Sequence, residues 1–157
     1  MTRRRELLHH SARVAALLAG AAWLPTPAAA QGASGWNRAA FEADTPADVY
    51  RALGSARPTA SDAVRLQAPD IAENGSQVQV GLGCTLPGVQ RMALLVEKNP
   101  NVLVALYELT DAVDAQFSLR IKMAQSSHVY AVAWMADGRV LFAQKDVRVT
   151  LTGCGNA

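Results

Sequence analysis

From Arg57-Pro58 onward the chain alternates apolar and polar positions with a period of two, as strands with one buried face do. Ala63 to Gln67 predicts a first strand, and Ala68-Pro69-Asp70-Ile71-Ala72-Glu73-Asn74-Gly75 a loop closing on an Asn-Gly turn. Val78, Val80 and Leu82 then share one face while Gln77 and Gln79 take the other. Gln90 to Glu97 reads as a mostly buried strand and Lys98-Asn99-Pro100-Asn101 as a turn, followed by a second apolar run from Val102 to Leu109. Phe117, Leu119, Ile121 and Met123 alternate cleanly with Gln116, Ser118, Arg120 and Lys122. His128 to Met135 and Arg139 to Leu151 flank Asp137-Gly138, a hairpin signal. Roughly seven strands at short spacing, with no helices between them, predict an all-β protein: an immunoglobulin-like antiparallel β-sandwich over 58–151.

Upstream the period changes. Thr45-Pro46-Ala47-Asp48 starts a helix, with Thr45 as N-cap and Pro46 in the first turn; it runs through Val49, Tyr50 and Leu53 and stops at Gly54. Trp36 to Glu42 reads as another short helix, behind a flexible leader at 31–35. Residues 31–57 are thus a leader with a short N-terminal helical segment. No internal repeat or low-complexity block is visible.

Residues 1–30 read as an export signal: Arg3, Arg4 and Arg5, an apolar run from Val14 to Leu24, then Pro25-Thr26-Pro27-Ala28-Ala29-Ala30 with cleavage after Ala30. The apolar run is too short and too rich in Ala and Gly for a spanning helix, so no membrane span is expected in the mature chain. Thr2-Arg3-Arg4-Arg5-Glu6-Leu7-Leu8 resembles a twin-arginine signal, with an ordinary secretory signal as the alternative. The twin-arginine route carries folded proteins, often with a cofactor or partner. The full chain of 157 residues has a net charge of +2, but the signal alone carries +3. The mature chain has 11 basic and 12 acidic residues, which excludes nucleic acid as the expected partner.

Candidate chemistry is sparse. His128 is the one histidine of the mature chain, and a metal site would need at least three ligands. Asp111 and Asp114 fall in a loop between strands and read as solvated turn residues. Gly81-Leu82-Gly83 is not followed by a helix and is no phosphate loop. Trp134 and Tyr130 fit a sandwich core better than a ligand platform. With no nucleophile–base pair and no cofactor motif, neither a self-sufficient enzyme nor a bound cofactor is expected.

The C-terminus stands apart. The last strand runs into Thr152-Gly153-Cys154-Gly155-Asn156-Ala157. Flanking glycines suit a slim, mobile arm rather than a core. Six residues at roughly 3.3 Å each reach about 20 Å, enough to enter a partner's active-site channel. No basic residue lies on the arm, so activation of the thiol falls to whatever docks on it.

Together the twin-arginine-like signal, Pro69 to Gly75, Glu97-Lys98-Asn99-Pro100, and Val147 to Thr150 leading to Gly153-Cys154-Gly155 resemble the SoxY family, the sulfur-carrier subunits of periplasmic thiosulfate oxidation. The resemblance runs in order over about residues 60–157. It implies a periplasmic, non-enzymatic carrier whose Cys154 bears thiosulfate-derived sulfur covalently, paired with a SoxZ-like β-sandwich subunit exported alongside. It further implies three partner enzymes: a haem-containing sulfur transferase, a dimanganese hydrolase that releases sulfate, and a molybdenum sulfane dehydrogenase. The arm departs from the family's usual Gly-Gly-Cys-Gly-Gly ending. Thr152 and Asn156 replace glycines and Ala157 adds a residue, as would suit a divergent carrier serving fewer enzymes.

Cys84 has no counterpart in that resemblance. A Cys84–Cys154 disulfide, closing a loop of about 70 residues and contributing roughly 4 kcal/mol, would make the chain an exported immunoglobulin-like binding module instead. A reversible bond protecting the arm thiol, or a packed or partner-facing Cys84 thiol, are the other readings. A thiol redox protein is disfavoured because the chain has no Cys-x-x-Cys pair.

Overall fold

The computed structural model describes residues 37–55 and 57–150. The expected signal, the leader at 31–35, Trp36 and the arm at 152–157 lie outside the described residues. Helix α1 (Arg38–Phe41) is capped by Asn37, whose Oδ1 accepts from the Ala40 amide at 3.1 Å. The other end of the same side chain donates to the Ala52 carbonyl at 3.0 Å and ties α1 to α2. Helix α2 (Pro46–Ala52) begins as its sequence dictates: Thr45 Oγ1 accepts from the Asp48 amide at 3.2 Å, and Pro46 occupies the first turn, where its missing N–H costs nothing. It ends where Gly54 takes a φ of +64°, the left-handed conformation glycine adopts cheaply.

Nine strands follow among the described residues: β1 (Thr59–Ala60), β2 (Val64–Gln67), β3 (Ile71–Ala72), β4 (Val78–Cys84), β5 (Val89–Val96), β6 (Leu103–Glu108), β7 (Gln116–Ile121), β8 (Ser127–Met135) and β9 (Val140–Val149). They form two sheets. The larger runs β1-β9-β8-β5-β6, with β3 also on the β9 edge; the smaller runs β2-β4-β7. The expected immunoglobulin-like sandwich is the observed architecture. Asp137-Gly138 turns the β8–β9 hairpin, with Gly138 at φ +86°.

Two details of the sequence reading are corrected. The segment expected as a loop at 68–75 contains β3, and a further short strand, β1, precedes the first predicted one. Both pair parallel to β9, Thr59 and Ala60 with Leu141 and Phe142, and Ile71 and Ala72 with Arg148 and Val149, so the sheet is not wholly antiparallel. The reason is topological: the chain pairs with β9 at Thr59–Ala60, crosses to the small sheet as β2 and returns to β9 at Ile71–Ala72, each time parallel to it, and two-residue contacts leave no periodicity to detect.

Two apolar layers hold the domain. Between the sheets, Val64, Val78, Val80, Leu82 and Ile121 of the small sheet meet Met92, Leu94, Val96, Val129 and Leu141 of the large one. The opposite face of the large sheet is covered by the helices, where Ala40, Val49 and Leu53 pack on Ala93, Leu95, Val132, Trp134 and Val140. This is why Met92 to Val96 is buried without alternation: each face of β5 has its own cover. Trp134 and Tyr130 therefore lie under and beside the helices, not between the sheets. Trp134 is buried against Tyr50 and donates from Nε1 to Ser55 Oγ, whereas Tyr130 is half-buried beside Phe142. Among the described residues no helix is long and apolar enough to cross a membrane.

Candidate functional site

Cys154 and the rest of the expected arm (Thr152, Gly153, Gly155, Asn156, Ala157) fall outside the described residues; the structure places the root from which they continue. Strand β8 begins at Ser127, which pairs with Val147, so β8 has no residue left to bond the end of β9. As far as Thr150 the backbone is still bonded, by the parallel pairing with β3 on one side and by Ser126 on the other. Arg148 N–H donates to the Asp70 carbonyl at 2.9 Å and Thr150 N–H to the Ala72 carbonyl at 3.1 Å. Between them, Val149 N–H donates to Ser126 Oγ at 2.9 Å. The Thr150 hydroxyl donates to the Glu73 carbonyl at 3.0 Å.

The acceptors are themselves held. Lys145 Nζ bonds the Ala68 carbonyl at 2.5 Å and faces the Asp70 carboxylate at 3.0 Å. Asn74 Oδ1 accepts from Ser76 N–H at 2.8 Å, and Met123 N–H donates to the Gly75 carbonyl at 2.7 Å. On the other side Asn99 brackets the 122–124 segment, donating to the Lys122 carbonyl at 2.8 Å and accepting from Ala124 N–H at 2.9 Å. Lys98 N–H donates to Ser127 Oγ at 3.0 Å. Of the stretches singled out by sequence, 69–75 thus bonds the end of β9 directly, while 97–100 bonds the 122–128 segment that carries Ser126. Sequence reasoning named Thr150 only as the end of the last strand and missed Ser126 and Lys145; a hydroxyl just before a strand start was the only signal for Ser126.

The other expected chemistry is dispersed. His128 Nδ1 lies against the Asp146 carboxylate in an exposed pair, and Tyr130 donates to Glu97 Oε2 at 3.2 Å. Burial, then the Glu97 charge, raises the Tyr130 pKa above its usual value. Asp111 and Asp114 lie in the exposed β6–β7 turn. Gly81 and Gly83 belong to β4. Among the described residues no group of three or more His, Cys, Asp or Glu is placed to hold a metal ion.

Cys84 is a half-buried free thiol at the end of β4, paired in register with Val64 and packed against the core between the sheets. It is at the wrong end for the arm. Thr150 bonds to Ala72 and Glu73, which lead through the Asn74 turn into the start of β4, whereas Cys84 terminates that seven-residue strand about 20 Å further on. Four residues from Thr150 to Cys154 reach about 14 Å when extended. Adding the roughly 6.8 Å that can separate the α-carbons of a disulfide uses up the length of β4 alone. Nothing remains for crossing from the large sheet to the small one.

The sulfur carrier protein SoxY from Chlorobium limicola f thiosulfatophilum superposes with a TM-score of 0.60 at 28% identity, covering 66% of this chain and 93% of that one. Two proteins similar in fold alone are the superoxide reductase (neelaredoxin) from Ignicoccus hospitalis, with a TM-score of 0.50 at 15% identity over 55% of this chain and 79% of that one, and a putative superoxide reductase from Thermotoga maritima, at 0.51 and 11% over 59% and 93%. No curated protein matches the chain. The family described as sulfur oxidation protein SoxY matches residues 49–154, from α2 to the cysteine of the arm, and the chain belongs to that family.

Proposed function

We propose that this protein is a periplasmic sulfur carrier of the SoxY type, with Cys154 as the covalent attachment point. The observation that carries the reading is the family match, which runs through the sandwich and along the arm as far as Cys154. A carrier needs a rigid body and a thiol projected from it, and the anchored end of β9 four residues before Cys154 supplies that arrangement. In this reading a haem-containing transferase joins the cysteine sulfur to the sulfane sulfur of thiosulfate. The thiol proton is released and two electrons pass to the transferase. Water then cleaves the bond to the sulfone at the dimanganese hydrolase, releasing sulfate and leaving a persulfide on the arm for the sulfane dehydrogenase. The protein contributes delivery rather than catalysis, together with a SoxZ-like subunit and after export on the twin-arginine-like signal.

The rival binding module, stapled by Cys84–Cys154, is opposed by the reach from Thr150. Thiol titration of native, unreduced protein separates the two. The carrier reading expects no Cys84–Cys154 crosslink, with Cys154 found either reactive or sulfur-modified. A stoichiometric Cys84–Cys154 bond that survives mild reductant would overturn it.

A further inference from the structure

We propose that the 68–74 strap and the 97–100 turn form a clamp that fixes the arm's point of departure at Thr150, making Ser126 and Thr150 positioning residues for delivery of Cys154. The proposal rests on the carrier reading above. Its basis is the accounting of three consecutive amides. The β8–β9 ladder ends at Val147; beyond it β9 keeps only its two-residue parallel pairing with β3, so on the β8 side its backbone would fray, its N–H as well served by water. Here Arg148 and Thr150 turn to the strap on one side, while Val149 turns to Ser126 Oγ on the other. The Thr150 hydroxyl adds a second bond to the strap through the Glu73 carbonyl.

Both supports are braced from behind. Lys145 of β9 holds the strap at Ala68 and Asp70. Asn99 holds the segment leading to Ser126 at Lys122 and Ala124, and Ser127 Oγ receives the Lys98 amide. The strap thus bonds the root of the arm directly, and the 97–100 turn acts on it through the segment that carries Ser126.

The consequence is a matter of length. From Thr150 the thiol is carried on four residues; with the clamp open it would hang on seven from Val147. For a flexible chain the root-mean-square span grows from about 11 Å to about 15 Å. The effective concentration of the thiol at a docked partner's active site falls roughly as the −3/2 power of length, about twofold. Thiol chemistry itself is untouched.

The test uses the full mature chain with its partner subunit and compares Ser126→Ala/Thr150→Val with the unmodified protein and with Thr150→Ser. Amide hydrogen exchange should show Val149 and Thr150 protected in the unmodified protein; in the double variant Val149, which loses its acceptor, opens and Thr150, held only by its bond to Ala72, exchanges faster, while Val147 stays protected; in Thr150→Ser, which keeps both hydroxyls, they stay protected. Loading by the transferase and thiosulfate should lose about twofold in kcat/KM, mostly through KM, while alkylation of Cys154 by iodoacetamide is unchanged. The proposal is overturned if residues 148–150 exchange as fast as unfolded chain in the unmodified protein, or if loading is unaffected once they open. Failure of the unmodified protein to load would remove the carrier reading and the functional half of this proposal with it, and the exchange pattern distinguishes that case.

Discussion

The helical cover can be tested by removing two methyl groups. Val49 is fully buried at the centre of α2, packed in the layer that includes Leu95, Val132 and Trp134. Val49→Ala forfeits about 1.6 kcal/mol of transfer free energy at roughly 0.8 kcal/mol per methylene equivalent. The space left behind adds up to about 1 kcal/mol, since the sheet beneath cannot collapse to fill it. A loss of about 2–2.5 kcal/mol should lower the thermal midpoint by about 8–10 °C in a domain of this size. The assay is urea unfolding followed in parallel by tryptophan fluorescence and far-ultraviolet circular dichroism. The reasoning requires one transition, shifted in midpoint with its slope unchanged. Loss of helical signal before an unshifted main transition would refute it, because the helices would then be an appendage to a sandwich that is complete without them.

Further outcomes follow from the same packing. Burial pushes the Tyr50 pKa up from 10.0 to about 12, so its contribution to stability is fully present below pH 10 and is lost as pH rises toward 12; Tyr50→Phe should flatten that part of the stability profile, and parallel profiles would contradict it. Tyr107 and Phe117 stack at 4.0 Å between ring centroids, joining the free edges of the two sheets, and a double-mutant cycle to alanine should give a coupling of about 0.5–1.5 kcal/mol. Cys84→Ser should leave Cys154 loading unchanged and cost no more than about 1.5 kcal/mol in unfolding free energy, since the thiol is only half-buried. Loss of loading in that variant would give Cys84 a part in the chemistry.

Much of this architecture was legible in the alternation of single strands. Val78, Val80 and Leu82, or Leu119 and Ile121, announce a buried face because their neighbours must point to water. The start of α2 was legible for the same local reason: Thr45 and Pro46 satisfy or remove donors that a helix end leaves open. What escaped the sequence was non-local. Strands β1 and β3 exist only because β9 offers them an edge, and Trp134 faces helices whose position its own strand does not encode. Cys154 is proposed from its glycine flanks and from a resemblance, whereas the bonds made by Ser126 and Lys145 depend on partners 23 and 77 positions away.

Carriage of sulfur on Cys154 is tested most directly by intact-mass and peptide-mapping mass spectrometry of the mature protein after incubation with thiosulfate and the haem-containing transferase. The expected result is one thiosulfate-derived adduct per chain, mapped to Cys154, absent from Cys154→Ser and retained in Cys84→Ser. An adduct on Cys84, or none on Cys154 when the transferase is active on another SoxY protein, would contradict the carrier role of Cys154.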